Sequence, residues 1–455
     1  MATKLTEGWC RSEVYSSENR GERMKKVAIY TLGCKVNQYE SDAMYMMFKN
    51  NNYEMVDFED KADIYVINTC TVTGTGDKKS RQIIRRARRK NSEALVVVTG
   101  CLAQVWDKEG VELPEVNLIV GNQDRKNIIE FIEKYEGDTV KEVSDIMKQR
   151  EFWEAGKVLS RERTRAYVKI QDGCDRFCSY CIIPYARGPV RSREIESIKK
   201  EVINLVENGF KEIVLTGIHI ASYGKEQKTV TLLDVLKELD EIEGLERIRL
   251  GSIEPNFINE ESVEVMKNMK KLCKHFHLSL QSGNNDTLKR MNRRYTIEEF
   301  EEKVELLRQA FENPALTTDI IVGFPGETEE EFQRTYEFLN RIEFSRMHVF
   351  PYSKRVGTPA AIMENQIPES IKSDRVKLLT DMSDRNEVEF AKKFLGKDIE
   401  VIFEHEVKDK KGLYEGYTDR YVKVIANNVE IGNSEKVVAQ NIDEKTIALI
   451  CEEIL

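Results

Sequence analysis

Short β-branched runs alternate with helical stretches along most of the chain, and this alternation restricts the possible folds more than any other feature. Near-continuous apolar strands that are separated by helices form parallel sheets covered on both faces. Four such runs lie between residues 24 and 147, and six more follow between residues 165 and 374. The sequence therefore predicts an α/β chain with two successive parallel-sheet domains.

The first domain, residues 24–147, contains the runs VAIYTLG, DIYVINT, ALVVVTG and NLIVG. This pattern predicts a small doubly wound parallel sheet. Residues 1–23 contain no apolar run, so we expect a disordered extension without a secretory signal. Residues 148–162 are charged and lack periodicity, which is typical of a linker.

The second domain, residues 160–390, contains AYVKI, EIVLTGI, RIRLGSI, HFHLSL, LTTDIIVGF and RMHVFPYS. Six strand–helix repeats predict a partial β/α barrel, short of the eight in a complete one. A charged helical stretch runs from about Pro368 to Leu395. Residues 392–455 then alternate with period two in closely spaced runs, which predicts a small antiparallel β-barrel.

Composition limits the class of protein. The formal net charge of -9 argues against non-specific coating of nucleic acid, although local patches decide whether RNA binds. No stretch reaches the roughly 18 consecutive apolar residues that span a bilayer, so we expect a cytoplasmic protein with no membrane partner. The nine cysteines are then expected to be metal ligands, catalytic groups or buried fillers rather than disulfides, because the cytosol keeps thiols reduced.

The sharpest pattern among the cysteines is Cys174-x3-Cys178-x2-Cys181, directly after the run AYVKI. Three thiolates on one loop can reach a single metal centre, and a 4Fe-4S cube takes four ligands, usually cysteines. Three protein ligands leave one iron open, and in radical enzymes that iron binds S-adenosylmethionine. The competing interpretation is a structural zinc site, which needs four ligands and for which His219 is the downstream candidate. We favour the cluster, because such barrels place their chemistry at this end of a strand.

Three further cysteines each stand where a predicted strand of the first domain stops: Cys34, Cys70 and Cys101. The carboxyl ends of parallel strands share one edge of a sheet, and that edge is where open α/β sheets bind ligands. A single cysteine there is more often a filler, but three in register favour a second three-ligand cluster. Cys273 and Cys451 lack this placement, so we expect them to be structural, and Cys10 lies in the extension.

A basic run, KKSRQIIRRARRK, occupies residues 78–90, and KRMNRR adds further cations at residues 289–294. A run of this kind is commonly a solvated helix face. Because two such runs occur on an acidic protein, the competing interpretation is that they contact RNA.

The cysteine trio of the first domain, the loop GCDRFCSYCIIPYARGPVRSR and the terminal β segment together resemble the methylthiotransferases. That family has an N-terminal cluster domain, a radical S-adenosylmethionine barrel and an RNA-binding TRAM domain, and the resemblance covers nearly everything from Met24 onward. The segments NTCTVTGTGDKKSRQ and HVFPYSKRVGTPAA resemble the branch that acts on threonylcarbamoyladenosine in tRNA. The alternatives are isopentenyladenosine in tRNA, a ribosomal-protein aspartate, or a non-catalytic iron–sulfur RNA-binding redox sensor.

The resemblance implies replacement of hydrogen by a methylthio group at C2 of the modified adenosine next to the anticodon. That C–H bond is aromatic and no acid or base makes it labile, which is why a radical is needed. One S-adenosylmethionine supplies the radical at the Cys174, Cys178 and Cys181 cluster, and a second supplies the methyl group. The other 4Fe-4S cluster holds or donates sulfur. The implied partners are tRNA and a reductant such as flavodoxin or ferredoxin, and the sulfur donor stays unidentified.

The resemblance also gives roles to residues around the cofactor. Tyr180 fits the aromatic position that packs against the adenine, and Thr216 and Gly217 end the strand whose backbone holds the cofactor's amino group. Arg187 and Arg193 are candidates for pairing with the cofactor carboxylate or an RNA phosphate. Polar residues at later strands complete the cofactor set: Glu254, Gln281, Ser282 and Asp319. For each polar residue the alternative is a structural salt bridge or cap.

tRNA is expected to be held mainly through its phosphates. The candidate contacts are Lys78, Lys79, Arg81, Arg85, Arg86 and Arg420. In the terminal segment, stacking and charge are the hypothesis for five residues, with ordinary strand packing as the alternative for the tyrosines: Tyr414, Tyr417, Arg420, Tyr421 and Lys423.

Overall fold

The structure is a computed structural model that describes residues 23–106, 114–156, 158 and 164–451. Residues 1–22 of the predicted extension, with Cys10, lie outside the described residues, as does part of the predicted linker. No helix in the described ranges is long and apolar enough to cross a membrane. The domain boundaries given above stay predictions.

The first domain is a parallel sheet of six strands in the order β2-β1-β3-β4-β5-β6. The strands are β1 (Lys26–Thr31), β2 (Glu54–Met55), β3 (Ile64–Thr69), β4 (Leu95–Gly100), β5 (Leu118–Val120) and β6 (Val140–Glu142). The helices are α1 (Lys35–Asn50), α2 (Gly74–Lys90), α3 (Cys101–Gln104) and α4 (Ile128–Glu133). Alternate strand residues enter separate cores on the two faces, such as Val66 on one and Ile67 on the other. The strand order reverses between β1 and β3, which makes the gap between them a ligand-binding switch point.

The six strands predicted for the second domain are all present and parallel. With a short β-ribbon included, the strands are β7 (Arg165–Lys169), β8 (Gln171–Asp172), β9 (Arg191–Ser192), β10 (Glu212–Thr216), β11 (Arg247–Leu250), β12 (His275–His277), β13 (Ala315–Val322) and β14 (Arg346–Pro351). The six predicted strands form two three-stranded sheets, β7-β10-β11 and β12-β13-β14, and β8 pairs with β9 separately. Parallel bridges at Ile248–Leu272 and Ile253–Leu278 join the two larger sheets along β11 and β12. The curvature of a partial barrel stays a prediction.

Helices follow the strands of the second domain: α5 (Ile183–Arg187), α6 (Ile195–Glu207), α7 (Leu232–Asp240), α8 (Glu260–Lys267), α9 (Asn285–Arg290), α10 (Ile297–Ala310), α11 (Glu329–Ile342) and α12 (Glu369–Lys392). Capping boxes fix where several begin, because Thr296 and Glu299, for example, satisfy each other's backbone N–H groups. The predicted charged stretch is the single helix α12. Among the described residues there are also five 3-10 turns: Asp124–Asn127, Ile146–Lys148, Ile220–Ser222, Pro255–Phe257 and Pro359–Ile362.

The last segment is a six-stranded sheet in the order β18-β15-β16-β17-β20-β19. The strands are β15 (Asp398–Glu406), β16 (Leu413–Thr418), β17 (Lys423–Asn427), β18 (Ser434–Val438), β19 (Asn441–Asp443) and β20 (Ala448–Cys451). The expectation of a wholly antiparallel arrangement is wrong at one pair, because β17 and β20 run parallel. The chain places the hairpin β19–β20 against β17, which brings Leu449 beside Val424 in the same core. No ladder joins β18 to β19 within the described residues, so closure into a barrel stays a prediction.

Candidate active site

The cysteines of the first domain all lie at the carboxyl edge of its sheet. Cys34 follows β1, Cys70 follows β3 and Cys101 follows β4, so the first two flank the switch point. Burial raises the pKa of the Cys34 thiol and raises that of Cys70 to about 12, and charge on Cys101 adds to both rises. Cys34 is accessible from a cavity, yet protein encloses its thiol closely enough to desolvate it. The three thiols therefore lie near enough to influence one another electrostatically, and their sharing of one cluster stays a prediction.

A glycine with positive φ stands directly before three of the six cysteines. The φ angles are 106° at Gly33, 96° at Gly100 and 74° at Gly173. A Cβ on Gly173 would lie 1.9 Å from the carbonyl oxygen of Pro189, and one on Gly33 would lie 3.2 Å from Sγ of Cys70. Only glycine accepts this combination of conformation and close approach, so these positions let the chain turn and present the next thiol.

The loop of Cys174, Cys178 and Cys181 is fixed by backbone hydrogen bonds. The amide of Cys174 donates to the carbonyl of Gly188 at 3.0 Å, and that of Cys181 donates to the carbonyl of Cys178 at 2.9 Å. Burial raises the pKa of Cys174 to about 11 and of Cys181 to about 12, and charge on Cys178 adds to both. The thiols of this loop therefore also lie close to one another.

Each trio offers three sulfur donors, and thiolates are the ligands that hold 4Fe-4S clusters. Among the described residues, the fourth zinc ligand considered for the loop is engaged elsewhere. Nδ1 of His219 lies 2.7 Å from Oγ of Ser222, and its Nε2 lies 3.3 Å from Glu254. The donor sets therefore fit iron–sulfur clusters with an open corner better than a closed zinc site.

Two adjoining cavities separate the trios. The larger cavity, about 730 Å³, is lined from all three segments by residues that include Cys34, Lys35, Thr216, Gly217, Asp319, Phe350, Tyr417, Arg420 and Tyr421. The smaller cavity, about 340 Å³, is lined by residues that include Val72, Thr73, Tyr180, Cys181, Gln281, Asp319 and Phe350. Asp319 and Phe350 line both. The cavities therefore meet at these two side chains, with Cys34 beside one and Cys181 beside the other.

The predicted cofactor residues divide into those that face these cavities and those that do not. Tyr180, Gln281, Asp319, Thr216 and Gly217 line one or both cavities. Two others lie outside the lining. Glu254 is buried behind it, where Arg176 and His219 pair with its carboxylate. The side chain of Ser282 is fully buried with its Oγ 3.5 Å from Oγ1 of Thr335 on α11, and its role as a cofactor ligand stays a prediction.

Arg187 and Arg193 are also placed differently from the prediction. Arg193 is buried and pairs with Glu201 at 2.5 Å and Glu154 at 2.9 Å. Arg187 is fully buried and donates to Glu40 at 2.9 Å and, through Nε, to Sγ of Cys101 at 3.2 Å. Protein groups contact both guanidinium groups, and their pairing with a cofactor carboxylate or a phosphate stays a prediction.

Arg187 belongs to a buried charge network, which we define as Glu40, Arg125, Lys169, Asp172, Arg187 and Arg191. Although burial alone raises the pKa of Glu40 and Asp172, the surrounding cations hold both well below the ordinary range. Four cations face two carboxylates, which leaves an excess positive charge beside Cys101. A thiolate or an anionic cluster at that position is therefore favoured electrostatically.

Arg293 was not identified from the sequence. This residue contacts a cysteine of the second trio as Arg187 contacts Cys101. Its Nη1 lies 3.3 Å from Sγ of Cys178, and its Nη2 donates to the carbonyl of Ser279 at 3.0 Å. The basic run at residues 289–294 was the available signal, but Arg293 faces a cysteine 115 positions away rather than solvent.

The predicted RNA contacts differ in how free they are. Lys78 and Lys79 are exposed on α2 and Arg81 is half-buried, and none of the three has an acidic partner among the described residues. Arg85 pairs with Glu115 at 3.4 Å and Arg86 with Glu59. Arg420 lines the larger cavity while its guanidinium donates to the carbonyls of Asn313 and Glu312.

Tyrosines of the last sheet pack against arginines of the second domain. The guanidinium of Arg249 lies 3.7 Å from the ring centre of Tyr421, and Arg165 lies over both Tyr417 and Tyr421. These rings form an interface within the chain, and they also line the larger cavity.

The two segments that resemble the threonylcarbamoyladenosine branch lie against each other. The amide of Gly74 donates to Oγ of Ser353 at 2.9 Å, and Arg355 contacts both Asp77 and Thr71 at 2.5 Å. The contact joins the start of α2, next to Cys70, to the chain beyond β14. Segments far apart in the sequence thus meet beside the smaller cavity, which Thr73 and Ser353 both line.

Comparison with known proteins agrees with this arrangement. Residues 168–339 match the model of the Radical SAM superfamily, and residues 26–121 match that of the uncharacterized protein family UPF0004. A "Threonylcarbamoyladenosine tRNA methylthiotransferase MtaB" of Bacillus subtilis (strain 168) is 48% identical over 91% of this chain and 93% of that protein. Another protein of that name, from Aquifex aeolicus (strain VF5), is 44% identical over 87% of this chain and 96% of that protein.

A likeness of fold extends to a solved structure of the radical S-adenosylmethionine methyltransferase TsrM from Kitasatospora setae, with cobalamin and a 4Fe-4S cluster bound. The TM-score is 0.54 at 16% identity, and the match covers 75% of this chain and 74% of that chain. Fold, cysteine placement and the two MtaB relatives lead to the same assignment. The chain belongs to the radical S-adenosylmethionine methylthiotransferases, in their threonylcarbamoyladenosine tRNA methylthiotransferase branch.

Proposed function

We propose that the chain transfers a methylthio group to C2 of N6-threonylcarbamoyladenosine in tRNA. The observation that carries this proposal is the pair of adjoining cavities between two trios of thiols, which meet at Asp319 and Phe350. A base held at that junction lies between Cys34 on one side and Cys181 on the other. The relatives named MtaB supply the identity of the nucleoside.

A 4Fe-4S cluster with S-adenosylmethionine is implied by the family, and Cys174, Cys178 and Cys181 are the residues that would hold it. Bound there, the pair supplies the carbon radical that removes an unactivated hydrogen. The chain's own residues position it. Arg293 fixes Sγ of Cys178, and Tyr180 and Gln281 line the adjoining smaller cavity.

We assign a second 4Fe-4S cluster to Cys34, Cys70 and Cys101, where it would supply the sulfur. Three observations support this assignment: the mutual influence of the thiols on their pKa values, the switch-point position, and the excess positive charge of the buried charge network. Arg187 would steady the cluster through its contact with Sγ of Cys101.

The larger cavity is the site we assign to the nucleoside. Its volume of about 730 Å³ falls within the range of roughly 300–1,000 Å³ that is usual for pockets holding drug-sized ligands. Phe350, exposed at the junction of the cavities, offers an apolar ring beside the base.

The remaining assignments concern the rest of the molecule. We assign the second domain to a partial β/α barrel and the last sheet to a TRAM domain, with boundaries near residues 147, 160 and 390. The tRNA would lie along the free cations at the start of α2. A flavodoxin or ferredoxin would serve as reductant.

The test is an anaerobic assay with reconstituted protein, dithionite and tRNA that carries threonylcarbamoyladenosine, read by nucleoside mass spectrometry. Wild-type protein should form 5′-deoxyadenosine and the methylthio nucleoside. Cys178→Ala should abolish both products, whereas Cys101→Ala should abolish only the methylthio product. Product on isopentenyladenosine alone, or no product with about eight irons bound per chain (two cubes), would reject the proposal.

A further inference from the structure

The larger cavity is lined by an unusual number of basic side chains. Five are lysines or arginines, and three histidines lie with them: Lys35, Arg165, Arg346, Arg420, Lys423, His275, His277 and His348. Asp319 and Glu387 are the carboxylates in the lining. Burial lowers the pKa of His275 and of His348, which favours their neutral forms, so the charge of the lining depends on the lysines and arginines and on which of them lack an acidic partner.

Four of the five cations already have acidic partners. Arg165 pairs with Glu404 at 2.7 Å, Arg346 with Glu387 at 3.3 Å, Arg420 with Asp419 at 2.7 Å and Lys423 with Glu415 at 3.5 Å. Lys35 differs, because no hydrogen bond or ion pair reaches its ammonium group from the residues that the structure describes. Lys35 is half-buried in the cavity wall, so a ligand carboxylate inside the cavity can pair with its ammonium group without displacing an acidic side chain.

The position of Lys35 adds to this argument. It is the first residue of α1 and directly follows Cys34, so it enters the cavity from the side of the first cysteine trio. Burial lowers the pKa of His275 on β12 and of His348 on β14, and charge on Lys35 adds a smaller lowering to both, so the three side chains lie within electrostatic range of one another in the cavity wall. The side chain therefore lies between the thiols and the polar wall of the cavity.

We propose that the ammonium group of Lys35 binds the carboxylate of the threonylcarbamoyl group and thereby selects this nucleoside. The proposal rests on the proposed function, because it names the part of the substrate that the larger cavity recognises. An unmodified or isopentenylated adenine has no anionic group in this position. For such substrates the lysine stays unpaired, so the same residue disfavours them.

A divalent cation is the competing occupant. The nitrogen and oxygen atoms of His277, Asp319 and His348 lie within 4.8 Å of one another, which is close enough to share a metal ion. The field of Lys35 and Arg346 opposes a cation there.

The experiment compares two substrates with the holoenzyme. One anticodon stem-loop carries threonylcarbamoyladenosine, and the other carries its methyl ester, which removes the charge at the cost of one added methyl group. The dissociation constants of both are measured for wild type, Lys35→Met and Lys35→Arg. Lys423→Met is the matched control, since this lysine lines the same cavity but has a partner.

Wild type should bind the acid about 10–100-fold more tightly than the ester, the range expected of a hydrogen bond to a charged group. Lys35→Met should bring this ratio close to one without weakening the ester, and Lys35→Arg should retain most of it. Lys423→Met should keep the wild-type ratio. Iron content and 5′-deoxyadenosine formation without tRNA show whether each variant is intact.

Three results would overturn the inference. An unchanged ratio in Lys35→Met would exclude contact with the carboxylate. Equal weakening of acid and ester, with a shallower salt dependence, would identify a phosphate contact instead. A stoichiometric divalent metal that is lost in His348→Ala would make the cavity a cation site. Absence of methylthio product from wild type would instead reject the proposed function, so the two failures are distinguishable.

Discussion

At the scale of single residues, one arginine donates to a cysteine sulfur in each trio: Arg187 to Cys101 and Arg293 to Cys178. Each guanidinium is also held by oxygen atoms of the protein, so it is fixed before any cluster is bound. A fixed donor beside a thiolate favours the charged form and so favours metal binding. These arginines are positioning residues, since they act through the cysteines.

Arg187→Met should separate the two trios functionally. The change removes the donor to Cys101 and one of the cations around Glu40, and breaking such a buried pair destabilises by about 3–5 kcal/mol. Iron should fall from about eight toward about four per chain, counted as one cube lost. Formation of 5′-deoxyadenosine should persist while the methylthio product disappears.

Arg193→Met is the matched control. It also breaks a buried ion pair, but the partner of Arg193 is Glu201 and not a cysteine. It should lower the unfolding midpoint and leave the iron content unchanged. Full iron in Arg187→Met, measured colorimetrically on folded protein, would show that Arg187 has no part in holding the cluster.

Gly173→Ala should disable the second trio. The added methyl group would meet the carbonyl of Pro189, and the positive φ disfavours any residue with a Cβ. The turn before Cys174 must then shift, so we expect 5′-deoxyadenosine formation to fall to background. Gly209→Ala is the control, since its φ is 90° with nothing within 4 Å of the new methyl group. It should retain activity, and equal loss in both variants would show that general destabilisation is the cause.

At the scale of elements, most strands were predictable because each is a local run of β-branched residues bounded by turns. The convergence of Cys34, Cys70 and Cys101 followed in turn, since parallel strands end at one edge. The direction of β20 against β17 could not be predicted, because a period of two reports which face is buried and says nothing about direction. The partner of a buried arginine could not be predicted either, since Arg187 and Cys101 are 86 positions apart in the sequence.

Helix α2 carries free cations that are available to bind tRNA phosphates. Its first turns carry Lys78 and Lys79 without acidic partners in the described part of the chain, whereas Arg86 pairs with Glu59. A free cation is available to a phosphate, and each phosphate contact adds about one unit to the slope of log Kd against log salt concentration. Lys78→Ala should therefore weaken tRNA binding and reduce that slope by about one.

The control for this experiment is Arg86→Ala on the same helix. It should change tRNA affinity much less, because its guanidinium is already engaged with Glu59 and lies over the ring of Phe58. Titrations at several salt concentrations give both slopes. An unchanged slope in Lys78→Ala would remove α2 from the tRNA-binding surface.

At the scale of the whole molecule, buried ion pairs and hydrogen bonds from buried arginines join all three segments. The buried charge network ties α1 to β7 and α5. At the opposite interface, Arg247 donates to the carbonyls of Tyr417 and Glu400, and Arg249 donates to that of Asp419. The larger cavity has walls from all three segments, so its shape depends on both interfaces.

Glu212 makes the second interface sensitive to acid. Burial opposes its ionisation, yet Arg249, Arg165 and Arg247 hold the pKa of its carboxyl below the ordinary value of 4.5. The folded protein therefore keeps Glu212 ionised at a pH where the unfolded chain takes up a proton. Its contribution to stability is complete above about pH 4.5 and is lost as pH falls through the lower, folded pKa.

Glu212→Gln should consequently destabilise the protein by about 3–5 kcal/mol near neutral pH, because it leaves the buried Arg249 unpaired. The difference from wild type should narrow as pH falls below about 4.5. Denaturant unfolding of both proteins at several pH values between about 7 and about 3, a range that brackets the ordinary pKa of a glutamate, measures this difference in the free energy of unfolding. Glu59→Gln, which removes an exposed pair, should show no measurable difference at any pH. A gap between Glu212→Gln and wild type that stays constant with pH would mean that Glu212 is not ionised in the folded protein, and that the last sheet is held by packing and backbone hydrogen bonds alone.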